Sequence, residues 1–85
     1  MNLNKGKIFN LGDKEYIIVS TINYNETEYG LINEINDNEP EMEKYHIINI
    51  ENNKYIFLND IELSNKLIPL FQKEIIKDLK ENNLI

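Results

Sequence analysis

The sequence predicts an α+β domain, an antiparallel β-meander of about five strands packed on one C-terminal helix. Three observations predict it. Short runs rich in Ile and Tyr, separated by Gly-Asp and Asn-rich connections, fill residues 6–59. From Asp60 onward the apolar spacing lengthens from two residues to about four, the period of a helix. Finally, 85 residues are too few for two cores, so all of these elements must share a single domain, 1–85.

The first strand is Ile8 to Leu11, closed by Gly12-Asp13, which supplies turn chemistry. A second runs over 15–24. Strict alternation along it would place Tyr16, Ile18, Ser20, Ile22 and Tyr24 on one side and Ile17, Val19 and Thr21 on the other. After the polar connection Asn25-Glu26-Thr27, a third strand over 28–36 carries Tyr29, Leu31 and Ile35 on one side and Ile32 opposite. Residues 36–43 hold Pro40 and few packing side chains, and read as a surface loop. Strands over 44–51 and 54–59 flank Asn52-Asn53, a pair that tolerates the positive φ of a tight hairpin.

The helical segment covers 60–82. Leu63, Leu67, Phe71, Ile75 and Leu79 form its stripe, with Ile68 and Ile76 widening it. Asn59 with Glu62 fits a capping box, and Asp60 competes as N-cap. Pro69 removes an amide donor at a cost of about 3 kcal/mol inside a helix, so a kink or break is expected near 67–69. One helix covers one side of a sheet, yet several strands are apolar on both. Either the sheet curls toward a half-barrel, or the uncovered side meets a partner.

The charge narrows function. Nine basic residues against fifteen acidic ones give a net charge of -6, which repels phosphate backbones and anionic membranes. All nine basic residues are Lys, so the planar guanidinium fork that reads guanine edges and grips phosphates is missing. Ala is also absent while Asn, Ile, Lys and Glu are abundant, a bias that A/T-rich codons produce without selection on the protein. Zero Cys exclude disulfides, thiol nucleophiles and Cys-held metals. The N-terminal MNLNKGKIFN lacks the apolar stretch of a secretory signal, so the expected address is cytoplasmic.

Catalysis has little to work with. His46 is the single imidazole and sits in a strand with no evident orienting acid or nucleophile. Ser20, Thr21, Thr27 and Ser64 stand in no nucleophile elbow, and Gly6, Gly12 and Gly30 are too scattered for a phosphate loop. The expectation is no enzyme, no catalytic residues, no cofactor and no metal.

The most distinctive feature is the acidic stretch 34–43, with Glu34, Asp37, Glu39, Glu41 and Glu43. It reads as a solvated loop, as a calcium loop, or as an electrostatic contact surface. Pro40 and the long Glu side chains, with no Gly at the sixth position, argue against calcium. As a contact surface, the carboxylates would stand where phosphates sit in a basic groove. Tyr24, Tyr29 and Tyr45, near the loop edges, would anchor the contact from the side away from the helix.

Lys14-Glu15-Tyr16-Ile17-Ile18, then Tyr29-Gly30-Leu31-Ile32, then Tyr55-Ile56-Phe57-Leu58-Asn59-Asp60-Ile61-Glu62 follow one another in a β-meander-then-helix order. In this order the chain resembles a loose group of short, uncharacterised acidic proteins of low-GC bacteria and their phages. By size and acidity it is also similar to phage anti-defence proteins such as anti-CRISPRs, several of which mimic nucleic acid. No functional residue comes with the resemblance; the acidic balance, the stretch 34–43 and the two-sided sheet make the expectation a non-catalytic inhibitor from a phage or mobile element. Its expected partner is another protein with a basic nucleic-acid-binding surface, neither nucleic acid itself nor a membrane. The alternative is an accessory or regulatory protein that self-associates through an uncovered sheet surface, so the expected state is monomer or homodimer.

Overall fold

The computed structural model describes the backbone of residues 3–36 and 39–82 and the side chains of 3–35 and 45–82. Its elements are β1 (Ile8–Leu11), β2 (Lys14–Tyr24), β3 (Thr27–Asn36), β4 (Glu39–Glu51), β5 (Lys54–Phe57) and α1 (Ile61–Glu81). The strands form one antiparallel sheet in the order β1-β2-β3-β4-β5. Tight turns join β2 to β3 and β4 to β5, with left-handed backbone at their corner residues. Asn25 and Glu26 have φ of 49° and 65°, and Asn52 and Asn53 have 50° and 61°.

The sheet curls. Phe9 of β1 stacks on Tyr55 of β5 with ring centroids 4.4 Å apart, although these strands lie at opposite ends of the strand order. Rings rather than ladder hydrogen bonds thus bridge the two edges, giving the half-barrel that two-sided apolar strands called for. Inside the curl Phe9, Tyr16, Ile18, Ile32 and Ile48 pack together, with Leu3 of the N-terminal segment filling one end. That segment is held in place by Gly6 N–H donating to Ile18 O at 2.8 Å and Ile18 N–H donating to Lys7 O at 2.9 Å.

A bulge in β2 decides which residues enter this interior. Up to Ile18, paired with Ile32, the even-numbered residues point inward; then the register shifts, and Ser20 is opposite Leu31 and Ile22 opposite Tyr29. One extra residue on one strand reverses the side on which all later residues emerge. Ile22 and Tyr24 therefore leave the company of Tyr16 and Ile18 and pack outside, beneath the helix. The single-sided row expected for β2 does not form, for that reason.

On the outer, convex side α1 lies chiefly across β2 and buries Leu67 and Phe71 against Ile47, with Ile22, Tyr24, Tyr29, Leu31, Leu58, Leu63 and Leu70 around them. Burying a side chain of this kind contributes about 1.5–3 kcal/mol. Asp60 is the cap: its Oδ1 accepts from Leu63 N–H at 3.0 Å, so the competing cap prevails over the Asn59–Glu62 box. The helix ends at Asn82, whose side-chain amide donates to Asp78 O at 2.8 Å. Of the kink or break expected at Pro69, the break does not occur: α1 is one helix through that residue. Pro69 and Asn65 are both exposed, so water can satisfy the carbonyl four residues back that the proline leaves unbonded. Ile68 and Ile76 do not widen the buried stripe; both are exposed. Lys5 Nζ reaches Asp78 Oδ2 at 2.8 Å and ties the N-terminal segment to the helix. This hydrogen bond holds the Lys5 ammonium above its ordinary value of 10.5.

Candidate protein interaction site

The acidic stretch is reshaped by the fold. Instead of a loop over 36–43, β3 continues to Asn36 and β4 begins at Glu39. The register passes from Asn33↔Tyr45 to Ile35↔Pro40, so the strands resume pairing beyond an irregularity. Glu39 thus pairs with Asn36, whereas Glu41 and Glu43 fall between Pro40 and Tyr45, where β4 carries more residues than β3 opposite it. Asp37 lies outside the described residues. Glu34 is not a surface carboxylate: it is 9% exposed, its Cα partner is the inward-pointing Tyr16, and Lys14 Nζ lies 3.6 Å from its Oε1. An inward strand position and a lysine partner withdraw it from any acidic face.

The three proposed tyrosine anchors also separate. Tyr24 and Tyr29 are partly buried in the cluster beneath the helix, not on the side away from it. The β2 bulge accounts for Tyr24, and Tyr29 follows its cross-strand partner Ile22. Tyr45 is different: it is 45% exposed and lines an open groove of about 660 Å³.

That groove lies where β5 parts from β4. Leu31, Ile47, Leu58 and Ile68 give it apolar lining, Tyr16, Tyr45, His46 and Phe57 give it rings, and Lys14, Asn59 and Ser64 give it polar groups. By strand alternation Tyr45 and Ile47 emerge on the outer side and His46 on the inner, so the groove straddles the edge of β4. On the inner side Tyr16, His46 and Phe57 meet edge to face, with centroids 5.2 Å apart for His46–Phe57 and 6.0 Å for each ring to Tyr16. His46 is thus an exposed strand residue braced by two rings. One strand in from Tyr45, buried Asn33 has a side-chain carbonyl Oδ1 with no hydrogen-bond partner.

Sequence reasoning missed the strand edge itself. β4 has 13 residues and β5 only 4, and β5 pairs with Ile48 to Glu51. Leu58 N–H donating to Ile47 O at 2.8 Å carries the ladder one step further. Among the described residues no strand pairs with β4 beyond that point on this side. The available signal was the helix cap at Asp60, which ends the last strand early whatever the length of its neighbour. Among the described residues no group of three or more His, Asp or Glu could hold a metal ion, and no helix is long and apolar enough to cross a membrane. Compared with protein-family models, curated proteins and solved structures, the chain has no significant match.

Proposed function

We propose that this domain is a non-catalytic protein-binding module that engages a partner with a basic surface. The observation that carries the reading is the open groove with half-exposed Tyr45 at a strand edge, on a chain of net charge -6. A groove with apolar lining and a ring at its rim supplies contact area, while the net negative charge of the chain favours cationic partners over phosphate. Its most specific form is an inhibitor from a phage or mobile element, anti-CRISPR-like in kind, that occupies the nucleic-acid site of a host defence protein. In that form Asp37, Glu39, Glu41 and Glu43 stand in for phosphates and Tyr45 anchors the contact; Glu34, Tyr24 and Tyr29 drop out because of where they are buried. Self-association through an uncovered sheet surface has less to support it, since the curl fills one side with its own side chains and α1 lies on the other.

The test is affinity capture from lysate of an AT-rich bacterium with the native chain and with the combined Asp37→Asn, Glu39→Gln, Glu41→Gln, Glu43→Gln variant. The expected result is a nucleic-acid-handling protein held at low salt, displaced by DNA or RNA, and lost at about 1 M salt, where screening acts within about 3 Å. The variant should keep its circular dichroism and melting temperature and retain no partner. Equal retention by the variant would sink the charge-based reading, and recovery of this chain alone would favour self-association.

A further inference from the structure

We propose that the outward strip of α1 pairs with the same strip of a second copy of this chain, antiparallel, about a twofold axis passing between Ile68 and Pro69. The pairing is independent of which partner the groove takes, and so goes beyond the protein-binding reading.

A helix that lies on a sheet normally turns charged and polar residues to solvent. α1 turns charge outward on one flank only. At 3.6 residues per turn Ile61, Asn65, Ile68, Gln72 and Ile76 fall within about 80° of one another. All five are exposed, Ile61 at 77%, Ile68 at 43% and Ile76 at 47%, and none of these isoleucines joins either core cluster. The exposed charges Glu62, Lys66, Lys73, Lys77, Lys80 and Glu81 gather to one side of the strip, leaving none within it. Single exposed isoleucines are ordinary; three in line with no charge among them mark a contact surface.

Spacing and charge select a second copy as the occupant. Members of the strip follow one another at four, three, four and four residues, close to the run by which two helices lie along one seam. In an antiparallel pair centred between residues 68 and 69, Ile61 meets Ile76 of the second copy, Asn65 meets Gln72, and Ile68 meets Pro69. Apolar groups thus face apolar groups, and two carboxamides, each with donors and an acceptor, face one another and fix the register. The chain's net charge of -6 lies outside α1, which holds four Lys against four Asp or Glu, so a second copy meets least repulsion there. Like flanks adjoin about such an axis. Glu62 therefore falls between Lys73 and Lys77 of the second copy, twice over, while Lys66 beside Lys73 is the one like-charged pairing.

The test is sedimentation of the full chain from micromolar to millimolar concentration, joined to cross-linking through single cysteines, which the Cys-free sequence permits. The expected result is a mass that rises from one chain to two with concentration. Ile68→Glu, at an exposed site beside the axis, should keep its circular dichroism and dimerise at least about tenfold more weakly. Ile8→Glu, equally exposed but on β1, should dimerise as the native chain does. Under mild oxidation Ile68→Cys should link two chains, because its two copies adjoin the axis. Ile76→Cys should not, since its copies stand about 22 Å apart along the helices, beyond the reach of a disulfide. A monomer at every concentration overturns the pairing, and one that sediments with anionic vesicles assigns the strip to a lipid surface instead. Dimers that survive Ile68→Glu place the association on another surface and overturn it too. Cross-linking of both cysteines, or of neither, overturns the antiparallel axis.

Discussion

The cluster inside the curl and the cluster beneath the helix are closed in different ways. The inner one draws on β1 to β5 and the N-terminal segment, and is sealed where Phe9 meets Tyr55 across two strand edges. The outer one depends on a single element, since Leu67 and Phe71 of α1 are its fully buried members. They are not independent, because neighbouring residues of β4 serve both: Ile48 faces inward and Ile47 faces the helix. A small chain can thus make two partial cores behave as one, each sheet residue fixing the orientation of the next. We expect the two to unfold together.

The largest test of that expectation is Phe71→Ala, which empties a site that is 1% exposed and is expected to cost about 3–5 kcal/mol. Urea unfolding followed by helical signal at 222 nm and by tyrosine near-ultraviolet signal should still give coincident transitions; separation of the two would break the picture of one cooperative unit. The inner seam is sharpened by a double-mutant cycle of Phe9→Ala with Tyr55→Ala, where a coupling of about 0.5–1.5 kcal/mol is expected for stacked rings. No coupling would mean that the edges are held by something other than these rings.

An effect smaller than that of Phe71→Ala is expected at Gly30. A Cβ there would lie 3.3 Å from Leu3 Cδ1, so Gly30→Ala should cost about 1–3 kcal/mol by overpacking the end of the interior. Adding Leu3→Ala should recover part of the loss in chemical denaturation, and failure to do so would remove Leu3 from its place as the plug. The smallest effect has the opposite sign. Ser20 is fully buried under the helix side of β2 with an Oγ that has no partner. Ser20→Ala is expected to raise stability by about 1 kcal/mol, and a loss of that size in the same denaturation experiment would show that the hydroxyl is satisfied.

The sequence was legible where one local rule acted alone. The four-residue spacing of Leu63, Leu67, Phe71 and Ile75 identified the helix and its buried side, and Asn52-Asn53 identified a hairpin by the φ values it tolerates. It was illegible where a distant partner overrode local preference. Glu39 to Glu43 has neither β-branched residues nor alternation of apolar with polar groups, and joins β4 because β3 continues to Asn36 beside it. Two-residue alternation along β2 was sound on each side of the bulge and misleading across it, since no residue near Val19 announces the shift. The interaction site suffered most, because Tyr24 and Tyr29 were placed by proximity to loop edges and Glu34 by its membership of the acidic stretch, whereas their burial depends on which way each strand position points. Tyr45 is the one that remained available, next to an edge that becomes visible only once the lengths of β4 and β5 are known together.

The β2 bulge also governs how this chain can change length over evolutionary time. Removing Val19 would delete the extra residue and leave Ile22 and Tyr24 on the helix side, but removing Thr21, beyond the bulge, would send Ile22 and Tyr24 into the hollow already filled by Ile18 and Ile48 and turn polar Asn23 toward the helix. A deletion of a single residue there is equivalent to exchanging the inside and outside of half a strand, whereas the same deletion at an exposed turn alters only a corner. Descendants of this sequence should therefore vary in their hairpin tips and, between Tyr16 and Tyr24, lose a residue only at the bulge.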